Sequence, residues 1–99
     1  MARRASELIS RNKRDKMVRL LKAVAHPVRI QIVNILLRNE CRVGELVKTL
    51  GAKQSHTSQQ LSIMKYSGLL KSRRNGNVVY YSLATDSIKK IVETIIDET

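Results

Sequence analysis

Apolar residues recur at helical spacing through the first half of the chain. A first helix is predicted from four of them at i, i+3, i+4 and i+7: Met17, Leu20, Leu21 and Val24. His26-Pro27 then separates it from a second helix, because proline favours the first turn of a new helix. The second helix is predicted from about Pro27 to Leu37, with a buried stripe of Val28, Ile32, Ile35 and Leu36. Ile30 and Val33 are expected to flank this stripe.

A short third helix and a different fourth helix follow a polar connector at 38–42. The third repeats the same spacing with Val43, Leu46, Val47 and Leu50, and Gly51 ends it. The fourth is predicted from about Gln54 to Tyr66 or Ser67, and its buried positions are Thr57, Leu61 and Met64. Most of its other side chains are uncharged hydrogen-bonding groups. Such a surface suits contact with DNA bases better than packing against protein.

The last third of the chain predicts a β-hairpin and a final helix. Two strand-like runs, 69–74 and 77–83, flank Asn75-Gly76, a strong hairpin signal in which both turn residues are expected to adopt positive φ. Thr85 or Asp86 is expected to cap the last helix. That helix carries an aliphatic stripe of Ile88, Ile91, Val92, Ile95 and Ile96. The fold class is therefore mainly α with a small β-hairpin, in the order α-α-α-α-β-β-α. It is a winged helix-turn-helix.

Length and charge narrow the choice of partner. The 99 residues predict a single domain, 1–99, with a basic N-terminal arm at about 1–14 that becomes helical near Glu7 or later. The net charge is +11. Seventeen basic against four acidic residues give +13 over 1–85, whereas two lysines against four acidic residues give −2 over 86–99. A polyanion is the natural partner of the basic part. A merely soluble basic surface is the alternative.

Several classes of protein are disfavoured. We find no plausible nucleophile–base pair, no paired acids in an apolar setting and no phosphate-binding glycine loop, so the chain is not expected to be an enzyme. Its one cysteine, Cys41, excludes an intrachain disulfide. The apolar runs are too short to span a bilayer, and no apolar segment follows Arg3 and Arg4 to form a signal peptide. We therefore expect a cytoplasmic, nucleoid-associated protein.

Three segments resemble the ArsR-type (ArsR/SmtB) winged-helix repressors: LLKAVAHPVRIQIVNILL, VGELVKTLG and SQQLSIMKYSGLLKSRRNGNVVYYSL. The resemblance covers about Met17 to the end of the chain. It implies a homodimer whose first and last helices pair across a two-fold axis. The interface is then expected to contain Met17, Leu20, Ile88, Ile91, Val92 and Ile95. It also implies repression at a near-palindromic operator in double-stranded DNA, relieved by an inducer.

The predicted DNA contacts fall on the fourth helix and the wing. The candidates for contact with base edges are Gln54, Ser55, His56, Ser58 and Gln59, with Gln59 first because glutamine pairs with adenine. The candidates for phosphate contact are Lys53, Ser62 and Lys65. In the wing, Arg73, Arg74 and Asn75 are expected at the minor groove or its phosphates, or else as charges that protect a sheet edge. The N-terminal basic residues are either a DNA-tracking arm or a solvated end: Arg3, Arg4, Arg11, Lys13 and Arg14.

The effector sites of the family are not matched by this sequence. Where relatives carry a Cys-x-Cys pair at the third helix, this chain has Arg42 and Gly44. In the last helix Asp86 is present, but Ile88 replaces the histidine ligand and the helix has no histidine. Asn34 occupies the second-helix position of a dithiol switch. We therefore predict no metal and no cofactor. Cys41 is either redox-active or a small core residue.

Three other functions stay open on the sequence alone. A basic architectural DNA-binding protein would have the same charge but little sequence preference. A winged helix can also bind RNA or protein, because the fold does not determine the partner. Activation of transcription is as compatible with these residues as repression.

Overall fold

A computed structural model describes residues 5–99, so Arg3 and Arg4 of the predicted arm lie outside the described residues. A 3-10 turn at Ala5–Glu7 comes first. The helices are α1 (Arg11–Val24), α2 (Pro27–Leu36), α3 (Val43–Leu50), α4 (Gln54–Tyr66) and α5 (Asp86–Glu98). The strands are β1 (Cys41–Arg42), β2 (Leu70–Asn75) and β3 (Val78–Leu83). The predicted winged helix-turn-helix is confirmed.

Local signals in the sequence set the ends of the helices. The Ser10 hydroxyl accepts a hydrogen bond from the Lys13 amide (3.3 Å) at the start of α1. Pro27 occupies the first position of α2, where its missing N–H costs nothing. Gly51 ends α3 with a φ of 65°, a left-handed conformation that glycine adopts without strain. Thr85 caps α5 by accepting from the Ile88 amide (3.2 Å).

The sheet has one strand more than the predicted hairpin. Cys41 and Arg42 belong to the stretch that was expected to be a polar connector, but they form β1 and pair with Tyr81 and Tyr80 of β3. The strand order is therefore β1-β3-β2, with β3 in the centre. Two residues are too few to produce an alternating pattern. This strand exists because β3 offers it hydrogen bonds, a contact that local sequence does not reveal.

The hairpin turn lies one residue beyond its predicted position. Asn75 pairs with Val78, so the two turn residues are Gly76 and Asn77 instead of Asn75 and Gly76. Gly76 has a φ of 64°, whereas no residue other than glycine has a positive φ between residues 5 and 99. A two-residue turn with glycine first needs a positive φ only at that glycine. Asn75 is thereby free to extend β2.

The core lies between α2, α3, α4 and the sheet. Ile32, Val33, Leu46, Leu61 and Met64 are fully buried within it. Val33 is thus central, although the pattern placed it at the edge of the α2 stripe, and Ile35 is only half-buried. No helix between residues 5 and 99 is both long enough and apolar enough to cross a bilayer.

Candidate DNA interface

The helix-turn-helix consists of α3, the turn 51–53 and α4. The Gly51 amide donates to the Val47 carbonyl (2.9 Å), which closes the C-terminal end of α3. Lys53 precedes α4 in an extended conformation. Its carbonyl accepts from the Thr57 amide (3.0 Å) and the Thr57 hydroxyl (3.1 Å), so this fully buried threonine has its hydrogen bonds satisfied. The turn and the first helical turn of α4 are thus held together by backbone and hydroxyl bonds.

The outward face of α4 is polar and almost uncharged. Ser55, Gln59 and Ser62 are exposed and follow one another at i, i+4 and i+7, directly opposite the buried face. Tyr66 continues this line at i+11 and is 92% exposed. Tyr66 was predicted only as the end of the helix, although its spacing from Gln59 and Ser62 in the sequence already indicated a place on this line.

The other predicted contact residues of α4 flank that line. Gln54, His56, Lys53 and Lys65 are exposed, and Ser58 is half-buried. No acidic residue occurs between Lys53 and Tyr66. The helix therefore presents donors and acceptors for base edges between two cations suited to phosphates, without a carboxylate that would repel DNA.

One residue of α4 has a role that the sequence analysis missed. Gln60 is only 7% exposed, and its Oε1 accepts a hydrogen bond from Arg29 Nε of α2 (2.8 Å). Periodicity places Gln60 beside Thr57, Leu61 and Met64 on the buried face, yet glutamine at that position reads as polar and was left out of the predicted core. The signal that could have found it is its four-residue spacing from Met64 and three-residue spacing from Thr57.

The three predicted contact residues of the wing differ in their surroundings. Arg74 and Asn75 are exposed near the tip of the hairpin. Arg73 instead forms an ion pair with Glu40, with Nε 2.9 Å from Oε2, and its guanidinium stacks 4.5 Å from the centroid of the Tyr80 ring. The hydrogen bond from Arg73 lowers the pKa of the Glu40 carboxyl. The charge of Arg73 is thus largely compensated within the protein, and contact of Arg74 with phosphates stays a prediction.

The basic start of α1 is a separate exposed surface. Arg11, Lys13 and Arg14 all lie in its first turns and are exposed. Arg14 forms an ion pair with the neighbouring Asp15 at 3.1 Å. Both side chains are more than half exposed, and such a surface pair contributes little to stability. Contact between this basic surface and DNA therefore stays a prediction.

An apolar face lies on α1 and α5, with Ile88 and Val92 at its boundary with the core. Ile91 and Ile95 are 56% and 58% exposed, and Met17 is 51% exposed. Leu20, Ile88 and Val92 are half-buried beside them. Three further residues extend the face: Leu21, Ile30 and Ile96. Five of the six residues predicted for the subunit interface thus line adjoining apolar hollows together with these three neighbours, and Met17 lies one helical turn before Leu20. Exposed apolar patches of this kind mark surfaces that contact other proteins.

Cys41 lies inside the molecule at the start of β1. Its side chain is buried, and its Sγ donates to the Asn39 carbonyl at 3.5 Å. Burial, and then the nearby Glu45 and Glu40 carboxylates, raise the pKa of the thiol. A protonated, buried thiol reacts slowly, which favours the core-residue alternative over the redox one. Within residues 5–99, no group of three or more His, Cys, Asp or Glu side chains is placed to hold a metal ion.

Residues 26–72, which run from the start of α2 through α3 and α4 into β2, match the family described as "Bacterial regulatory protein, arsR family". The transcriptional activator HlyU of Vibrio cholerae is 40% identical over 80 residues, which are 81% of this chain and 74% of HlyU. This chain belongs to the arsR family. The matched segment begins at His26, the residue that precedes Pro27 at the junction between α1 and α2.

Solved structures and a further relative agree with this family assignment. The structure of HlyU from Vibrio cholerae superposes with a TM-score of 0.80 at 38% identity, covering 88% of this chain and 94% of HlyU. A homodimeric winged helix-turn-helix DNA-binding domain from Mycobacterium bovis also gives 0.80, at 28% identity, covering 91% and 89% of the two chains. The biofilm growth-associated repressor of Xylella fastidiosa is 35% identical over 81 residues, 82% of this chain and 71% of that repressor.

Proposed function

We propose that this protein is a homodimeric transcriptional repressor that binds a near-palindromic operator in double-stranded DNA. The observation that carries the proposal is the outward face of α4, where Ser55, Gln59 and Ser62 are exposed between Lys53 and Lys65 in a helix-turn-helix. An α-helix fits the major groove, and uncharged side chains with donors and acceptors distinguish base pairs there. Membership of the arsR family supports the same function.

In this proposal α4 is the recognition helix and each element has a distinct part. Gln59 and its neighbours contact base edges, Lys53, Ser62 and Lys65 contact phosphates, and Arg74 and Asn75 contact the adjacent minor groove. Phosphate contacts supply most of the affinity and base contacts most of the specificity. The protein acts by occupying DNA and not by catalysis, in the cytoplasm and bound to the nucleoid.

We assign the apolar face of α1 and α5 to the contact with a second copy. One recognition helix contacts only half of a palindromic site, and a two-fold dimer places two of them one helical turn apart. Pairing the exposed Ile91 and Ile95 with their counterparts removes apolar surface from water at about 25 cal/mol per Å². The homodimeric relative from Mycobacterium bovis supports this assembly.

Selection of bound sequences from a random duplex pool tests the proposal. The winning sequence is then titrated against a scrambled duplex at two salt concentrations. We expect a near-palindromic site with half-sites about one helical turn apart, bound at least about 1,000-fold more tightly than scrambled DNA. Selection of no sequence, together with steep salt dependence, would show an architectural DNA-binding protein. Selection from RNA but not from DNA would also contradict the proposal.

A further inference from the structure

Arg29 joins three helices at the back of the recognition helix. It is the third residue of α2, and its Nε donates to Gln60 Oε1 of α4 at 2.8 Å. Its Nη1 donates to the Ala23 carbonyl of α1 at 3.2 Å. A single guanidinium thus ties α1, α2 and α4 together through two directional bonds.

The Ala23 carbonyl and Gln60 Oε1 both depend on Arg29 for a hydrogen-bond donor. The Ala23 carbonyl lies in the last turn of α1, where the partner four residues on is Pro27, which has no N–H. The Gln60 amide is nine-tenths buried on the core face of α4. A buried amide oxygen without a partner is strongly unfavourable, so the bond is retained wherever the fold is intact.

The remaining contacts of the α4 core face are not directional in the same way. Leu61 and Met64 are fully buried apolar side chains, and the Thr57 hydroxyl bonds only to the carbonyl of Lys53, at the start of its own helix. Apolar packing tolerates small rotations and translations of a helix, because several arrangements bury similar area. The hydrogen bond from Arg29 to Gln60 does not tolerate them, since its strength falls steeply with distance and angle.

Gln60 is adjacent in sequence to Gln59, which is exposed and is the first candidate for a base contact. Any rotation of the helix about its axis moves the two residues together. We infer that Arg29 and Gln60 are positioning residues, which fix the rotation of the recognition helix and so determine operator preference without touching DNA. This inference rests on the proposed function.

Two substitutions of Gln60 separate positioning from simple stability. Gln60→Met keeps the length of the side chain and removes the acceptor, whereas Gln60→Glu keeps an acceptor for Arg29. Each variant is titrated against the selected operator and a scrambled duplex, well below its measured melting temperature. We expect Gln60→Met to lower the ratio of operator to scrambled affinity about tenfold, by weakening operator binding alone. Gln60→Glu adds a negative charge that weakens both complexes equally, so its ratio stays at the wild-type value.

A second pair of variants covers the case in which Gln60→Met does not fold. Arg29→Lys keeps the charge but loses the fork that reaches both Gln60 and Ala23, and we expect a similar loss of the ratio. Arg38→Lys, at an exposed position just after α2, is the matched control and should leave the ratio unchanged. A wild-type ratio in Gln60→Met or Arg29→Lys, with only a lowered melting temperature, would overturn the inference. A wild-type protein that does not itself discriminate would instead overturn the proposed function.

Discussion

Leu46, Leu61 and Met64 in the helix-turn-helix are fully buried, whereas Ile91 and Ile95 in α5 are 56% and 58% exposed. Both regions carry the same helical repeat of aliphatic residues, but α5 has no buried residue at all. The charge differs as well, with +13 over 1–85 and −2 over 86–99. The core of the helix-turn-helix is thus formed within one chain, and its exposed surface on α4 is polar, which is the surface we propose to contact DNA. The last helix is complete only against another apolar surface, which we assign to a second copy.

The largest expected effect, on dimerisation and operator affinity, comes from disrupting the apolar face of α1 and α5. Ile91→Asp combined with Ile95→Asp places two charges where the second copy is expected to pack. We predict a monomer by sedimentation and an operator affinity reduced by about 100-fold or more, because the two half-sites are no longer bound by one linked unit. Lys90→Asp makes the same change in net charge on the opposite side of α5 and should leave the dimer intact. A dimer that survives the double substitution would place the interface elsewhere.

The next largest effect is a loss of stability when the helix-turn-helix core is disrupted. Leu61→Ala removes a fully buried side chain from α4 and should destabilise the protein by about 2–5 kcal/mol, which lowers the melting temperature by roughly 10 °C or more. Ile63→Ala is the matched control on the same helix, since Ile63 is 39% exposed, and should cost less than about 1 kcal/mol. Thermal unfolding followed by circular dichroism measures both variants. Equal losses would mean that the core does not lie where the structure has it.

A smaller effect sharpens the assignment of the outward face. Gln59→Ala should lose about 1–3 kcal/mol of discrimination at one base pair of each half-site, since it removes a bidentate contact without disturbing the core. Titration of operator and scrambled duplexes measures the change, and scrambled DNA should bind as before. The dimer should also persist, in contrast to the α5 double substitution. Weakening that is equal for both duplexes would make Gln59 a backbone contact.

The smallest effect distinguishes the two wing arginines. Arg74→Ala should weaken binding to every sequence and reduce the salt slope by about one, as for the loss of one phosphate contact. Arg73→Ala should change the slope less, because Glu40 already compensates the charge of Arg73. Titrations of scrambled DNA over a range of salt concentrations give both slopes. Equal slopes would mean that DNA displaces Glu40 from Arg73.

The pH dependence of this difference follows from the Glu40 carboxyl. Its pKa is lowered by the Arg73 hydrogen bond, so the pair is fully formed above the ordinary pKa of a glutamate and is lost only as the pH falls through the lowered value. The two slopes should therefore keep their difference from about pH 6 to about pH 8. A difference that disappears within this range would exclude Glu40 as the cause.

Local patterns in the sequence predicted most of the fold. The periodicity of α3 and the Thr85 cap of α5 depend on residues within one or two helical turns, and the predictions for them were accurate. The short strand β1 was not predictable, because its hydrogen bonds come from Tyr80 and Tyr81, about 40 residues further along the chain. The hairpin turn shifted by one residue because the register of β2 and β3, and not the Asn75-Gly76 pair, decides which residues turn.

The sequence predicted the candidate site only where the type of a residue and its position on a helix indicate its role. The exposed serines and glutamines of α4 lie where the helical pattern put them. The contacts that hold the site in place join residues far apart in sequence: Arg29 with Gln60, 31 positions apart, and Glu40 with Arg73, 33 positions apart. Arginine on a basic chain is easily attributed to DNA. Only its partners in the folded protein show that Arg29 and Arg73 are engaged within the protein.

The central claim is that two recognition helices, held by one dimer, bind two half-sites at a fixed spacing. The most direct test titrates the wild-type protein against the selected operator and against a copy with five base pairs inserted at its centre, which turns one half-site by about half a helical turn. We predict that the insertion lowers the affinity about 100-fold or more, to that of a single half-site. Equal affinity for the two duplexes would contradict the account, because it would mean that the half-sites are bound independently.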